Sequence, residues 1–201
     1  MPDGKKVRDY VEPADSAAIV DYLIDFFNRP DVPELYSKHV AGIPVKEVHG
    51  LRKETGYSGF YNRKTVGDKV TKKDIELESD RSVYKMSDPT ATIYFEKDKN
   101  LSSVEDNPYL ISEEIRFKRT PRNVVHHEAF GHGLIDVLYG YHQKPHFTRT
   151  ESFPYMVQAY SNLAKMDRLG IPKDNKYYKK TLKAFNELRR IARNELKLEG
   201  D

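Results

Sequence analysis

From Thr120 to the C-terminus the apolar residues recur at helical spacing, and this periodicity constrains the chain more than any other feature. Thr120 suits an N-cap. Pro121 suits the first helical position, where a missing N–H donor costs nothing. Phe130, Leu134, Val137, Leu138 and Tyr141 then share one face. A second helix is expected over about Phe153 to Leu169, closed by Gly170-Ile171-Pro172. A third is expected over about Asn175 to Leu198. Its inward residues are Leu182, Phe185, Leu188, Ala192 and Leu196, and its dense Lys/Arg face reads as solvated surface.

Upstream the pattern is mixed. Ala18, Ile19, Tyr22, Leu23 and Phe26 predict a helix over about Asp15 to Asn28, stopped by Arg29-Pro30-Asp31. Val40 to Lys73 is punctuated by Gly42, Gly50, Gly56, Gly59 and Gly67 and reads as loops with short strands. Tyr57, Phe60 and Tyr61 would anchor it. Asp74–Glu78, Ser82–Met86 and Ala91–Phe95 are strand candidates, with Ser87-Asp88-Pro89-Thr90 as the turn between the last two. Leu110 to Phe117 adds an edge strand or a short helix. These signals predict an α+β fold. A small antiparallel sheet packs against the helix after Thr120 and two further C-terminal helices. One domain over residues 1–201 is expected, with helix, loops and sheet in 1–119 and the helical part in 120–201.

The composition excludes several kinds of chemistry. There is no Cys, so thiolate metal ligands, a Cys nucleophile and disulfides are ruled out. Any metal must be held by His and carboxylates. The 14 Tyr and 9 Phe provide bulk for a core despite 32% charged residues. The net charge of +3 is spread along the chain and argues weakly for nucleic acid as a partner. No apolar run approaches the roughly 20 residues of a membrane span, and no apolar signal core follows the N-terminus. A cytoplasmic location and secretion without disulfides both stay open.

Within the first C-terminal helix lies His127-Glu128-Ala129-Phe130-Gly131-His132. Zinc takes neutral imidazole or carboxylate ligands converging from fixed positions. In the H-E-x-x-H pattern two His stand one helical turn apart, with a Glu beside the metal. Here the spacing is H-E-x-x-x-H. In a regular α-helix, at about 100° per residue, five steps leave His132 roughly 140° around from His127. Gly131 and Gly133 flank His132, and each costs about 1 kcal/mol in a helix interior. Wide spacing and glycines together predict a kink or π-turn over Phe130 to Gly133, which returns residue i+5 toward residue i. His127 and His132 are then the metal ligands. Glu128 is the general base that activates a zinc-held water.

A catalytic zinc takes three protein ligands and an open position. Glu151 is the first candidate for the third ligand, and His142 and His146 are alternatives. Asp136, one turn after His132, or His126 would orient a ligand imidazole. Tyr155 or Tyr160 would donate to a developing oxyanion. Five of the seven His lie between His126 and His146, and this clustering favours a metal site over chance. His39 and His49 read as ordinary polar residues. Glu151 has a competing role, stabilising a helix N-terminus through the macrodipole.

The His127–His132 string resembles the H-E-A-x-G-H motif of TldD-type proteases, which carry the same HExxxH spacing. A broader resemblance joins strand Ala91–Phe95, Thr120 to Glu128, Gly131-His132, Glu151, Asn162, Leu169-Gly170-Ile171-Pro172 and Tyr177. Over these residues the chain is similar to effector-type zinc metallopeptidases of secreted bacterial effectors and polymorphic toxins. It departs from them in the longer His spacing and in Ser161-Asn162, where a Glu-Asn pair is common. The resemblance implies a zincin-like metalloprotease, a hydrolase acting on a protein or peptide substrate through zinc. Two other functions compete. One is a catalytically inactive metallopeptidase-like domain that binds a partner protein, motivated by the long spacing. The other is a basic adaptor using the C-terminal helix on nucleic acid.

Overall fold

The computed structural model describes residues 4–48, 59–64, 90–96, 121–139 and 151–198. Helix α1 (Val7–Tyr10) leads into α2 (Pro13–Phe27), which carries Pro13 in its first turn. Ile19, Leu23 and Phe26 recur at helical spacing and are buried. Asn28 ends α2 in the left-handed conformation (φ 52°, ψ 47°), one of the few non-glycine residues suited to it. Arg29 then donates through Nη1 to the carbonyl of Leu138 at 2.9 Å, tying this corner to the metal-motif helix. Helix α3 (Val32–Leu35) continues as a π-helical turn, Tyr36–Val40.

The strands among the described residues are β1 (Val45–Val48), β2 (Gly59–Lys64) and β3 (Thr90–Glu96). Their order is β1-β3-β2. The expected antiparallel sheet is corrected to a mixed one. β3 runs parallel to β1, with Val45 opposite Ile93, and antiparallel to β2, with Tyr61 opposite Ile93. A turn at Ser87–Thr90 favours pairing of the strands on either side of it. In the structure β3 takes the centre and pairs along both edges, and its Thr92, Ile93 and Tyr94 are all buried. The described residues are also mostly helical, so the sheet is a minor layer rather than the organising half of an α+β fold. The expected strands Asp74–Glu78 and Ser82–Met86, the segment Leu110–Phe117, and Tyr141, His142 and His146 lie outside the described residues.

Helix α4 (Pro121–Val125) runs into a π-helical segment, His126–Gly133, and then into α5 (Leu134–Tyr139). Helices α6 (Ser152–Arg168) and α7 (Lys176–Glu195) complete the described chain. Gly170, at φ +70°, turns the chain after α6, where a Cβ would be strained. Asn175 caps α7 by accepting from the Tyr177 and Tyr178 N–H groups.

The core forms where α2, α3, the π-segment and α6 meet. Phe130 is fully buried and stacks on Tyr36 with centroids 4.8 Å apart. Phe153 packs on Phe26 and Phe27. The buried Asp15 pairs with Arg168 Nη1 at 2.6 Å, fastening α2 to the end of α6. On α7 the buried stripe is Tyr178, Thr181, Leu188 and Ala192. Leu182, expected inward, sits beside that stripe and is 39% exposed. Thr181 takes the inward place because its hydroxyl donates to the Tyr177 carbonyl at 2.8 Å and so needs no solvent. Among the described residues no helix is long and apolar enough to cross a membrane.

Candidate metal centre

The motif helix is π-helical over all of His126–Gly133, a wider stretch than the expected turn at Phe130 to Gly133. Leu134 closes it by donating its N–H to the carbonyl of Ala129, five residues back. The wider turn brings His132 round toward His127. The two imidazole centroids stand 5.2 Å apart with their planes at 64°.

The two glycines beside His132 play different parts. Gly170 is the positive-φ glycine among the described residues, so neither Gly131 nor Gly133 needs that region. A Cβ on Gly131 would lie 2.4, 2.6 and 2.8 Å from Cβ, Cγ and Cα of Pro154. Gly131 is therefore a contact residue that lets α6 lie directly against the π-segment. At Gly133 a Cβ would meet its neighbours at 3.5 Å, ordinary contact.

That close approach delivers Glu151. It occupies the N-cap position of α6 but makes no capping hydrogen bond there. Its carboxylate instead spans the two imidazoles. Oε2 lies 2.9 Å from Nε2 of His127, and Oε1 lies 3.3 Å from Nε2 of His132. Donor atoms of His127, His132 and Glu151 all fall within 4.8 Å of one another, a group that could hold a metal ion.

Charge in the site is strongly coupled. Burial disfavours protonation of His132, but its hydrogen bond to Glu151 and the charges of Glu128, Glu151 and Asp136 outweigh that and raise its pKa above the ordinary 6.5. Burial pushes the Glu151 carboxyl up. Hydrogen bonds from His127 and His132, and their positive charge, prevail and hold it well below the usual carboxylate range. Asp136 is buried and acts on His132 through its charge. Glu128 is buried, with its carboxylate against β2: a Cβ on Gly59 would sit 3.1 Å from Glu128 Oε1.

Other candidates fall into distinct places. Tyr155 packs edge-on against His127, with centroids 4.7 Å apart. Tyr160 lies elsewhere, stacked on Tyr22 at 4.4 Å and packed on Phe185, because it occupies the α6 face toward α2 and α7. His126 is outside the three-donor group. It is fully buried, its Nδ1 is 2.8 Å from Ser161 Oγ, and its ring meets Phe130 edge-on. Sequence reasoning missed Gln158, whose Oε1 lies 3.1 Å from Nδ1 of His127. The signal was present: Glu151, Tyr155 and Gln158 are spaced i, i+4, i+7 on one helical face.

The residues fit a metal. A neutral imidazole has one N–H, yet both ring nitrogens of His127 face acceptor oxygens, Gln158 Oε1 and Glu151 Oε2. Either a second proton on the ring or a metal ion between Nε2 and Glu151 satisfies both oxygens. Ligands about 2.1 Å from a tetrahedral zinc lie about 3.4 Å from each other, close to the observed 2.9 and 3.3 Å. Two imidazoles and a carboxylate are a familiar zinc donor set that leaves a fourth position open. The described residues define a mostly helical structure with a three-donor group able to hold a metal ion. Comparison of the chain with protein-family models, curated proteins and solved structures found no match.

Proposed function

We propose that the protein is a zinc-dependent hydrolase that cleaves peptide bonds, with His127, His132 and Glu151 as ligands and Glu128 as general base. The observation that carries this reading is the convergence of two Nε2 atoms on the two oxygens of one carboxylate. Zinc held there supplies Lewis acidity, polarising a scissile carbonyl and lowering the pKa of a water.

The remaining work belongs to the chain. Glu128 follows the first ligand directly, and its charge is felt at His132. It takes a proton from the attacking water and returns it to the leaving amine. The backbone of β2 at Gly59 limits where that carboxylate can lie. Tyr155, against His127, is the candidate donor to the oxyanion. The choice of a peptide substrate draws on the likeness of the HExxxH string to TldD-type proteases and of the wider pattern to effector-type metallopeptidases. The inactive-domain alternative drew its motive from the long His spacing, and the π-helical turn accommodates that spacing.

The test is metal content and peptidase activity on one preparation. Purified protein equilibrated with zinc and desalted at neutral pH is expected to retain about one zinc per chain. Glu128→Gln is expected to keep the metal and lose at least about 100-fold in cleavage of a peptide library. Wild-type protein that emerges metal-free overturns the proposal. Zinc binding without cleavage of any library member favours the inactive, partner-binding domain.

A further inference from the structure

We infer that Gln158 is a positioning residue that holds the proton of His127 on Nδ1 and so presents Nε2 to the metal. The second half of this inference rests on the metal-site reading above; the first half does not. With the amide oxygen as the contacting atom at 3.1 Å, an acceptor only, His127 Nδ1 takes the donor role. That leaves Nε2 facing Glu151 as the nitrogen available for coordination. Gln158 is buried and lies two turns along α6 from Glu151. One rigid helix therefore supplies both a ligand and the group that orients another. The close seat of Pro154 on Gly131, between them in sequence, sets the height of both at once.

The partner of a ligand imidazole is usually a carboxylate, a backbone carbonyl or water. A side-chain amide fixes the ring as a carboxylate would, without adding negative charge to a site that already holds Glu128, Glu151 and Asp136. The ring edge of Tyr155 braces the same imidazole from a third direction.

The experiment compares wild type, Gln158→Leu and Gln158→Glu by two readouts. In zinc-free protein, the ¹H–¹⁵N spectrum of the histidine side chains is expected to show a protected Nδ1–H on His127 in wild type and Gln158→Glu. It is expected to be lost in Gln158→Leu. In competition with a chromophoric chelator, Gln158→Leu is expected to bind zinc about 10- to 100-fold more weakly, and Gln158→Glu at least as tightly as wild type. A wild-type His127 without a proton on Nδ1 overturns the inference. So does a Leu variant that keeps both the signal and the affinity. Wild type that shows the proton but takes up no zinc defeats the metal reading and leaves the role of Gln158 upheld. Should Gln158→Leu fail to fold, Gln158→Glu and wild type still decide through the proton signal.

Discussion

Gly131 and Gly133 stand two residues apart, and the structure assigns them opposite responses to the same added methyl group. At Gly131 a Cβ would fall 2.4–2.8 Å from three atoms of Pro154, one of them backbone. Carbon atoms prefer about 3.5–4.0 Å, so the shortfall is about 1 Å. A proline ring cannot swing aside, and α6 must yield instead. Overpacking of this kind costs about 1–3 kcal/mol. A shift of α6 also carries Glu151 and Gln158 away from His127, since both belong to that helix or its cap. At Gly133 the same Cβ finds 3.5 Å contacts with Ile43, Tyr61 and the Glu128 carbonyl. There the change removes backbone entropy from the unfolded chain and is worth up to about 1 kcal/mol of added stability. Urea denaturation of the zinc-free variants, followed by chelator competition, measures both effects. Gly131→Ala is expected to lose stability and at least about 10-fold in zinc affinity, and Gly133→Ala to lose neither. Equal behaviour of the two variants would refute the argument that Gly131 is there for helix contact.

The pH dependence of the zinc-free protein follows from two opposed shifts. His132 is raised above 6.5, so its contribution is complete below that pH and is lost as pH climbs through the raised value. Glu151 is lowered from 4.5, so its contribution is present above that pH and is lost in stronger acid. Thermal denaturation without zinc is therefore expected to show this pair's stabilisation greatest between about pH 4.5 and 6.5 and declining on the alkaline side. With zinc the alkaline trend is expected to reverse, since binding requires His132 deprotonated; the same trend with and without zinc counts against ligation by His132. Away from the site, Asn175→Ala removes the acceptor of the Tyr177 and Tyr178 N–H groups. It is expected to cost about 1 kcal/mol in urea denaturation, and an unchanged midpoint would show the cap to be redundant.

What was legible in the sequence was whatever depends on neighbours along the chain. Helical periodicity located α2, α6 and α7 to within a few residues, because burial of one face imposes its period on the residues themselves. Five-residue His spacing demanded a departure from α-geometry, and a π-helical segment is what the chain forms there. Partner choice was not legible. The sheet is mixed because β3 pairs along one edge with β1, a strand far away in sequence, and no local turn encodes such a pairing. Leu182 looked as inward as Leu188 until the packing of α7 on α6 chose between them. Gln158 shares a helical face with Glu151, but its role, like that of Ser161, is realised only through a histidine on another helix. The sequence by itself determined the helices, the departure from α-geometry at the His pair and the donor types on offer. Tertiary structure alone decided which donors meet, because convergence depends on how closely two helices approach, and that distance is set at one glycine by the absence of a single carbon.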